Sequence, residues 1–181
     1  MTGMAKNILI TGLPGSGKTT LIRKLAEELR EYGPAGFFTE EIRERGTRKG
    51  FTLTSLDGKS SGVLAHADIR GPQRVGRYGV DLAGFERFLG TLVLFDPSAR
   101  LVIIDEIGKM ECLSGRFREL ISSLLLAPAP VIATIALKAG GFIDEVKRRP
   151  GILLYELTER NRDALLSEIA GTVRSLPAAS P

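Results

Sequence analysis

An apolar stretch that runs into a glycine-rich loop and then into a helical pattern restricts the fold of this chain most. Residues 7–11 (NILIT) predict a buried strand, residues 12–19 read GLPGSGKT, and residues 18–32 carry apolar side chains at helical spacing. The order strand, G-x-x-x-x-G-K-T, helix is the context that a phosphate-binding loop requires. We therefore predict that this loop wraps a triphosphate.

The residue types of the loop fit that chemistry. Glycines let the backbone approach a ligand closely, and backbone N–H groups at the start of a helix favour a bound anion. Lys18 is expected to reach the β and γ phosphates, and the Thr19 hydroxyl to bind Mg²⁺. A glycine-rich structural turn is the alternative. The predicted nucleotide-binding residues are Gly12, Leu13, Pro14, Gly15, Ser16, Gly17, Lys18, Thr19 and Thr20.

A second apolar strand ends on two adjacent carboxylates. Residues 101–104 read LVII, and Asp105 and Glu106 follow directly. Burying unpaired carboxylates is costly, so a cation, a substrate or water is expected at this strand end. We predict that Asp105 binds Mg²⁺ through water and that Glu106 orients a water molecule for in-line attack on the γ phosphate. Two solvated acids at a strand end are the alternative.

Lys109 and Glu111 follow in the same segment and are further catalytic candidates beside Lys18 and Glu106. Lys109 could neutralise charge that develops on the γ phosphate, and Glu111 could position Lys109 or the water. A solvated turn that leads into a helix capped by Ser114 explains both residues equally well.

The rest of the chain alternates strands with helical patterns. Such alternation implies crossover connections and a mainly parallel sheet in an α/β fold. Residues 40–77 differ, because short β-type pieces and turns predict an antiparallel insertion. The chain, 1–181, is predicted to form one domain with its core over about 6–171. Further strands are predicted at 36–39, 131–135 and 152–157, and helices after Asp81, after Ser114, over 142–148 and after Thr158.

Composition narrows the function classes. The net charge of +4 is compatible with a phosphate ligand but too small to predict sequence-specific binding of nucleic acid. No apolar run approaches the length of a membrane span, and the first residues lack the pattern of a signal peptide. The one cysteine, Cys112, is compatible with a reducing compartment. We expect a cytoplasmic protein that acts as a monomer.

Four stretches of the chain resemble the THEP-type nucleoside-triphosphatases, also called the cancer-related nucleoside-triphosphatase family. The resemblance covers about residues 6–171. It implies a RecA-like P-loop α/β sandwich of three layers with extra antiparallel strands. It also implies slow, Mg²⁺-dependent hydrolysis of ATP, GTP, CTP and UTP to diphosphate and phosphate. The stretches are GLPGSGKTTL at 12–21, GFFTEEIRERGTRKGF at 36–51, RYGVDLAGFE at 77–86 and LVIIDEIGKME at 101–111.

Carried over by position, the resemblance implies a second nucleotide-contacting segment with Glu106 in the catalytic place. The stretch TERNRD at 158–163 resembles the base-binding region of the family, which makes Asn161 and Arg162 candidate base contacts. Helix capping and a surface arginine are the alternative there. Cys112 departs from the family pattern, in which an aliphatic residue is expected. The second segment comprises Leu101, Val102, Ile103, Ile104, Asp105, Glu106, Ile107 and Gly108.

The first turn of the insertion is rich in cations. Arg43, Arg45, Arg48 and Lys49 favour a solvated hairpin tip over a role above the triphosphate. The sequence offers no unmistakable arginine finger, which predicts slow turnover. A phosphotransferase that acts on a nucleoside, a nucleotide or an RNA end is one alternative function, and a nucleotide-gated binding module is another.

Overall fold

The computed structural model describes residues 5–177, and the strands in that range form one sheet of nine. The strands are β1 (Asn7–Thr11), β2 (Ala35–Glu44), β3 (Thr47–Ser55), β4 (Ser61–His66), β5 (Arg74–Val75), β6 (Tyr78–Val80), β7 (Val102–Ile107), β8 (Val131–Ile135) and β9 (Ile152–Glu156). The α-helices of the same range are α1 (Lys18–Glu28), α2 (Leu82–Leu89), α3 (Gly115–Leu126), α4 (Gly141–Lys147) and α5 (Arg162–Ser175).

The sheet has a parallel and an antiparallel part, in the strand order β5-β6-β4-β3-β2-β7-β8-β1-β9. Strands β2, β7, β8, β1 and β9 are parallel to one another, whereas β2 to β6 pair in antiparallel fashion. Strand β2 belongs to both parts, since residues 35–37 pair with β7 and residues 37–44 pair with β3. The prediction of a mainly parallel core with an antiparallel insertion is confirmed.

Helices pack on both faces of the parallel strands. Helices α1 and α5 cover one face, where their apolar side chains pack against Ile8 and Ile10 of β1. Helices α2, α3 and α4 cover the other face, to which Leu9 of β1 points. Side chains alternate between faces along a strand, so a strand covered on both faces is apolar at every position. This explains the continuous apolar runs of β1 and β7 and confirms the predicted three layers.

The predicted helix starts after Asp81 and Ser114 are confirmed. The Asp81 carboxylate accepts a hydrogen bond from the Gly84 N–H at 2.8 Å, and the Ser114 hydroxyl accepts one from the Phe117 N–H at 3.1 Å. Each side chain satisfies an N–H group that the first helical turn leaves without a partner. These caps fix the starts of α2 and α3.

Helix α1 is shorter than predicted. It ends at Glu28 rather than at Tyr32, and a separate 3-10 turn covers residues 30–32. Gly33 closes that turn with a φ of 56°, a conformation that glycine adopts without strain. The apolar spacing continues through the turn, which is why the periodicity alone overestimates the length of the helix.

Three further boundaries differ from the predicted ones. Strand β2 continues to Glu44 and does not end at Thr39. Strand β7 continues to Ile107, so the two acids lie inside the strand instead of beyond it. Helix α5 begins at Arg162 and not after Thr158. The Asn161 side chain accepts a hydrogen bond from the Thr158 N–H at 2.8 Å, which keeps these residues in a turn. No helix within residues 5–177 has both the length and the apolar character needed to cross a membrane.

Candidate active site

The glycine-rich loop joins β1 to α1 in a conformation that its glycines make possible. Gly12 has a φ of 155°, and a Cβ there would lie 2.7 Å from the Leu157 carbonyl oxygen and 2.9 Å from the Ser16 hydroxyl oxygen. The Lys18 ammonium donates to the carbonyl oxygen of Gly12 at 2.9 Å and to that of Leu13 at 3.2 Å. Two backbone carbonyl groups of the loop therefore fix the position of the Lys18 ammonium at the start of α1.

The parallel register brings the loop and the acidic strand end together. Strand β8 lies between β1 and β7, so the carboxyl ends of all three strands meet at one edge of the sheet. A cleft of about 1210 Å³ opens at this edge between the loop, the β2–β3 hairpin and the residues after β8. The predicted residues that line it are Gly12, Pro14, Gly15, Gly17, Lys18, Thr19, Thr20 and Glu106.

Asp105 lies near the carboxyl end of β7 and is almost fully buried, with 2% of its surface exposed. Its Oδ1 accepts a hydrogen bond from the Thr134 hydroxyl at 2.6 Å, but its buried Oδ2 has no partner among residues 5–177. Burial raises the pKa of Asp105, and the Thr134 hydrogen bond, together with the nearby Thr19 hydroxyl, opposes that rise. An unpaired buried carboxylate oxygen beside a threonine hydroxyl is a donor set that suits a hard cation.

The donor set fits Mg²⁺ in particular. Within residues 5–177, no group of three or more His, Cys, Asp or Glu side chains could enclose a metal ion. Mg²⁺ is usually held by one or two protein oxygens together with water and substrate phosphates, so a full protein cage is not required. Thr19 and Asp105 are thus the residues that would hold the ion.

Glu106 differs from its neighbour because it is only partly buried and lines the cleft. Burial raises its pKa, the charge of Lys18 lowers it, and the charge of Asp105 raises it again. A carboxylate with a raised pKa accepts a proton from water more readily than an ordinary one. The two adjacent acids therefore have different surroundings and are suited to different roles.

The sequence of this chain is similar to those of known nucleoside-triphosphatases. A family model described as NTPase matches residues 7–170. The chain belongs to this NTPase family. It is 48% identical to the nucleoside-triphosphatase THEP1 of Thermotoga petrophila over 164 residues, which cover 90% of this chain and 89% of that protein.

Two further relatives agree with the assignment. The human cancer-related nucleoside-triphosphatase is 38% identical over 188 residues, which cover 95% of this chain and 98% of that protein. The crystal structure of THEP1 from Aquifex aeolicus matches with a TM-score of 0.78 at 38% identity and covers 90% of this chain and 96% of that one. The resemblance seen in the sequence and the P-loop fold that it implies are confirmed.

Lys109 and Glu111, the two remaining catalytic candidates of this NTPase, lie in different surroundings. Lys109 is exposed and lines a second cleft, with Arg74, Arg118 and Phe142, so it is not brought to the phosphate loop. Glu111 is buried, which excludes a solvated turn for this residue. A Cβ on Gly108 would lie 2.7 Å from Glu111 Oε2 and 2.9 Å from Glu106 Oε1. The two carboxylates therefore crowd the same side of Gly108, where a side chain would not fit.

The burial of Glu111 predicts an unusual dependence of stability on pH. Burial, and next the charge of Glu106, raise the pKa of Glu111 to about 8 from its usual value of 4.5. The folded state keeps this proton up to about pH 8, whereas the unfolded chain loses it near pH 4.5. The contribution of Glu111 to stability is therefore fully present below pH 4.5 and is lost as the pH rises to about 8.

Glu111→Gln should remove this loss, because glutamine stays neutral and has nearly the same shape. Between pH 5 and pH 8 the free energy of unfolding of the variant should rise relative to wild type by on the order of 4 kcal/mol. Urea unfolding at several pH values measures the difference. Parallel pH curves for the two proteins would show that Glu111 is charged in the folded state.

The second predicted segment contacts the cleft only near its end. The side chains of Leu101, Val102, Ile103 and Ile104 are at most 1% exposed and pack into the apolar layers on the two faces of the sheet. They do not line the cleft, and Ile107 is buried as well. Because these positions are needed to cover both faces of the sheet, they position the acids rather than face a ligand.

The residues before and at the start of α5 have structural partners. Asn161 donates from Nδ2 to the Glu156 carbonyl oxygen at 2.9 Å and thereby closes the turn after β9. Arg162 donates from Nε to the Ser16 carbonyl oxygen at 2.9 Å and lies against Gly17. Arg162 thus braces the phosphate loop from the side of α5. The structure places neither side chain in the cleft that holds Lys18 and Glu106.

Three cations of the cleft were not predicted as site residues. Arg23, Arg48 and Lys138 line it together with Lys18. Arg23 lies four residues after Thr19, one helical turn along α1, and that spacing could have indicated it. Arg48 belongs to the basic hairpin, for which a solvated tip was favoured; the structure brings its side chain into the cleft instead. Lys138 follows β8 and carries no signal in the sequence.

Proposed function

We propose that this chain hydrolyses nucleoside 5′-triphosphates to the diphosphate and phosphate, with Glu106 as the residue that orients the attacking water. The observation that carries the proposal is the meeting of Lys18, Thr19 and Glu106 in one cleft, with the unpaired Asp105 oxygen beside them. The names of the relatives, which are nucleoside-triphosphatases, support the same reaction.

The reaction asks mainly for positioning and for neutralisation of charge, because phosphoryl transfer passes through a loose transition state. The backbone N–H groups of the loop and the Lys18 ammonium hold the phosphates. Glu106 accepts a hydrogen bond from the water and receives its proton as the water oxygen bonds to the γ phosphorus. The bond from that phosphorus to the bridging oxygen breaks, and the diphosphate leaves with this oxygen. Mg²⁺, when bound at Thr19 and Asp105, supplies charge neutralisation on the β and γ phosphates.

We further propose that turnover is slow and that the base is poorly selected. The sequence lacks the N-K-x-D pattern that selects guanine. Asn161 closes a turn, and Arg162 lines a second pocket of about 430 Å³ beside Gly17 and Thr20. Long charged side chains form much of the wall of that pocket, and an arginine plane can stack on any base. Such a site recognises the triphosphate, which all four common nucleotides share.

Dependence on Mg²⁺ is expected to reside in Asp105. Asp105→Asn keeps the hydrogen bond to Thr134 but removes a full negative charge, so the Mg²⁺ concentration needed for half-maximal phosphate release should rise by about 10-fold or more. Titration of wild type and variant with MgCl₂ at saturating ATP measures this shift. A matched control is Asp144→Asn, which neutralises an acid of α4 outside the cleft. Equal Mg²⁺ requirements for Asp105→Asn and wild type would contradict the assignment.

A further inference from the structure

The β2–β3 hairpin forms one wall of the cleft and carries an arginine that two observations single out. Arg48 lines the same cleft as Lys18 and Glu106. Its guanidinium forms an ion pair with Glu41, which also lines the cleft. Glu41 forms a second ion pair with Arg43 at 2.6 Å, and Arg43 lies outside the cleft. One carboxylate therefore holds two guanidinium groups, of which one faces the cleft.

An irregularity in the hairpin brings Arg48 to this place. The register shifts between Ile42 and Arg43, so that Ile42 lies opposite Gly50 while Arg43 lies opposite Arg48. Lys49 has no residue opposite it, which is the mark of a β-bulge, and bulges change the direction of the side chains beside them. In a regular hairpin Arg43 would lie opposite Lys49, and Arg48 would lie opposite Glu44. The bulge therefore places Arg48 on the same face as Arg43.

Two arginines directly opposite each other repel, and Glu41 offsets that repulsion. Burial acts to raise the pKa of Glu41, but hydrogen bonds from Arg48 and Arg43 outweigh it and lower that pKa. The Glu41 carboxylate is thus charged at neutral pH. If Arg48 leaves, Glu41 still has Arg43 as a partner, and the two arginines no longer repel. Release of Arg48 therefore leaves no unpaired charge in the hairpin.

The relative strengths of the two possible partners favour transfer of Arg48 to a phosphate. An exposed ion pair such as Arg48–Glu41 changes an equilibrium constant by a factor of about 5 or less. A charge-assisted, two-pronged bond from arginine to phosphate is worth a factor of about 10 to 100. A triphosphate in the cleft is therefore expected to take the guanidinium from Glu41.

We propose that Arg48 is a catalytic cation that Glu41 holds in the absence of nucleotide and that moves to the γ phosphate when a triphosphate binds. Arg23 is a less suitable cation for this role, because its partner Glu40 has no second ion pair within residues 5–177, so release of Arg23 would leave that carboxylate unpaired. The proposal rests on the proposed hydrolysis, and it assigns to the chain itself the arginine that the sequence pattern does not reveal. It also makes Glu41 a residue that restrains turnover.

Steady-state hydrolysis of ATP with Mg²⁺ by four single variants tests this. Arg48→Ala should lower kcat by about 10- to 100-fold, and Arg48→Lys should recover part of that loss because it keeps the charge without the planar fork. Glu41→Gln should raise kcat, by up to about 5-fold, because it frees Arg48. The matched control is Arg45→Ala, which removes an exposed arginine of the same hairpin that does not line the cleft, and this variant should stay within about 2-fold of wild type.

Binding measurements separate contact with the γ phosphate from a structural role. Arg48→Ala should weaken binding of a non-hydrolysable ATP analogue by about 10-fold or more while leaving ADP binding unchanged. Equal kcat values for Arg48→Ala and Arg45→Ala, or no rise in Glu41→Gln, would overturn the proposal. A reaction without protein distinguishes the two levels: if wild type releases phosphate no faster than this blank, the proposed hydrolysis fails, whereas an active wild type with unaffected Arg48→Ala defeats the Arg48 proposal alone.

Discussion

Glu106→Gln is expected to release phosphate from ATP about 10² to 10⁴ times more slowly than the wild-type protein, the range typical for loss of a general base. Glutamine has nearly the same shape as glutamate and can still accept a hydrogen bond from water, but it cannot receive the proton. The affinity for ADP should not change, because Glu106 faces the site of attack rather than the loop that holds the phosphates. Phosphate release under saturating ATP, with ADP binding by calorimetry, measures both quantities.

A control for that experiment is Glu44→Gln, which neutralises an exposed acid at the end of β2. It should hydrolyse ATP as wild type does. If Glu106→Gln also retains wild-type turnover, the orientation of water belongs to another group. The buried Glu111, which crowds Glu106 beside Gly108, would then be the next residue to test.

Lys18→Ala should lower turnover by about 10² to 10³-fold, the effect usually seen when one preorganised donor to developing negative charge is removed. The Lys18 ammonium bonds to two carbonyl oxygens of its own loop, so it is held where a phosphate can exchange for them. Binding of ATP should weaken as well, because the lysine contacts the phosphates before and during the reaction. Initial rates and calorimetric titration with a non-hydrolysable ATP analogue give the two values.

Lys59→Ala provides the control, since Lys59 is an exposed lysine of the β3–β4 turn that lines neither the cleft nor the pocket beside the loop. This variant should bind and hydrolyse ATP normally. If Lys18→Ala does so too, residues 12–19 are not the phosphate-binding loop of this chain. The family assignment would remain, but binding of the phosphates would have to be assigned to other residues.

The features that could be predicted from the sequence are those that neighbouring residues determine. The loop needs a strand before it, a helix after it and glycines where a Cβ would collide, and all of these are local. The same holds for the caps at Asp81 and Ser114. Asp105 and Glu106 were predictable because an apolar run that ends on two acids has few physical explanations.

The features that could not be predicted depend on contacts between distant segments. Lys109 and Glu111 lie two residues apart in one turn, yet one side chain is exposed and the other is buried. Which of them turns inward depends on packing of the whole segment against the sheet and α3. Likewise, Arg48 reaches the cleft because a bulge shifts the hairpin register, and a bulge in this position has no clear sequence signal.

The end of the chain gives a third example. Asn161 was predicted either to contact a base or to cap the last helix, and Thr158 was also predicted to cap that helix. The Asn161 side chain instead accepts from the Thr158 N–H and donates to the Glu156 carbonyl oxygen. Both residue types favour helix starts and turns, and local preference cannot decide between the two.

The most direct test of the proposed function is release of phosphate from ATP, GTP, CTP and UTP with Mg²⁺ by wild type and by Glu106→Gln in parallel. We predict slow release from all four nucleotides, at rates within about 10-fold of one another because the site recognises the shared triphosphate, and near-background release by the variant. Wild-type release no faster than that without protein, with nucleotide binding intact, would contradict the proposed hydrolysis and would favour transfer of the γ phosphate to an acceptor other than water.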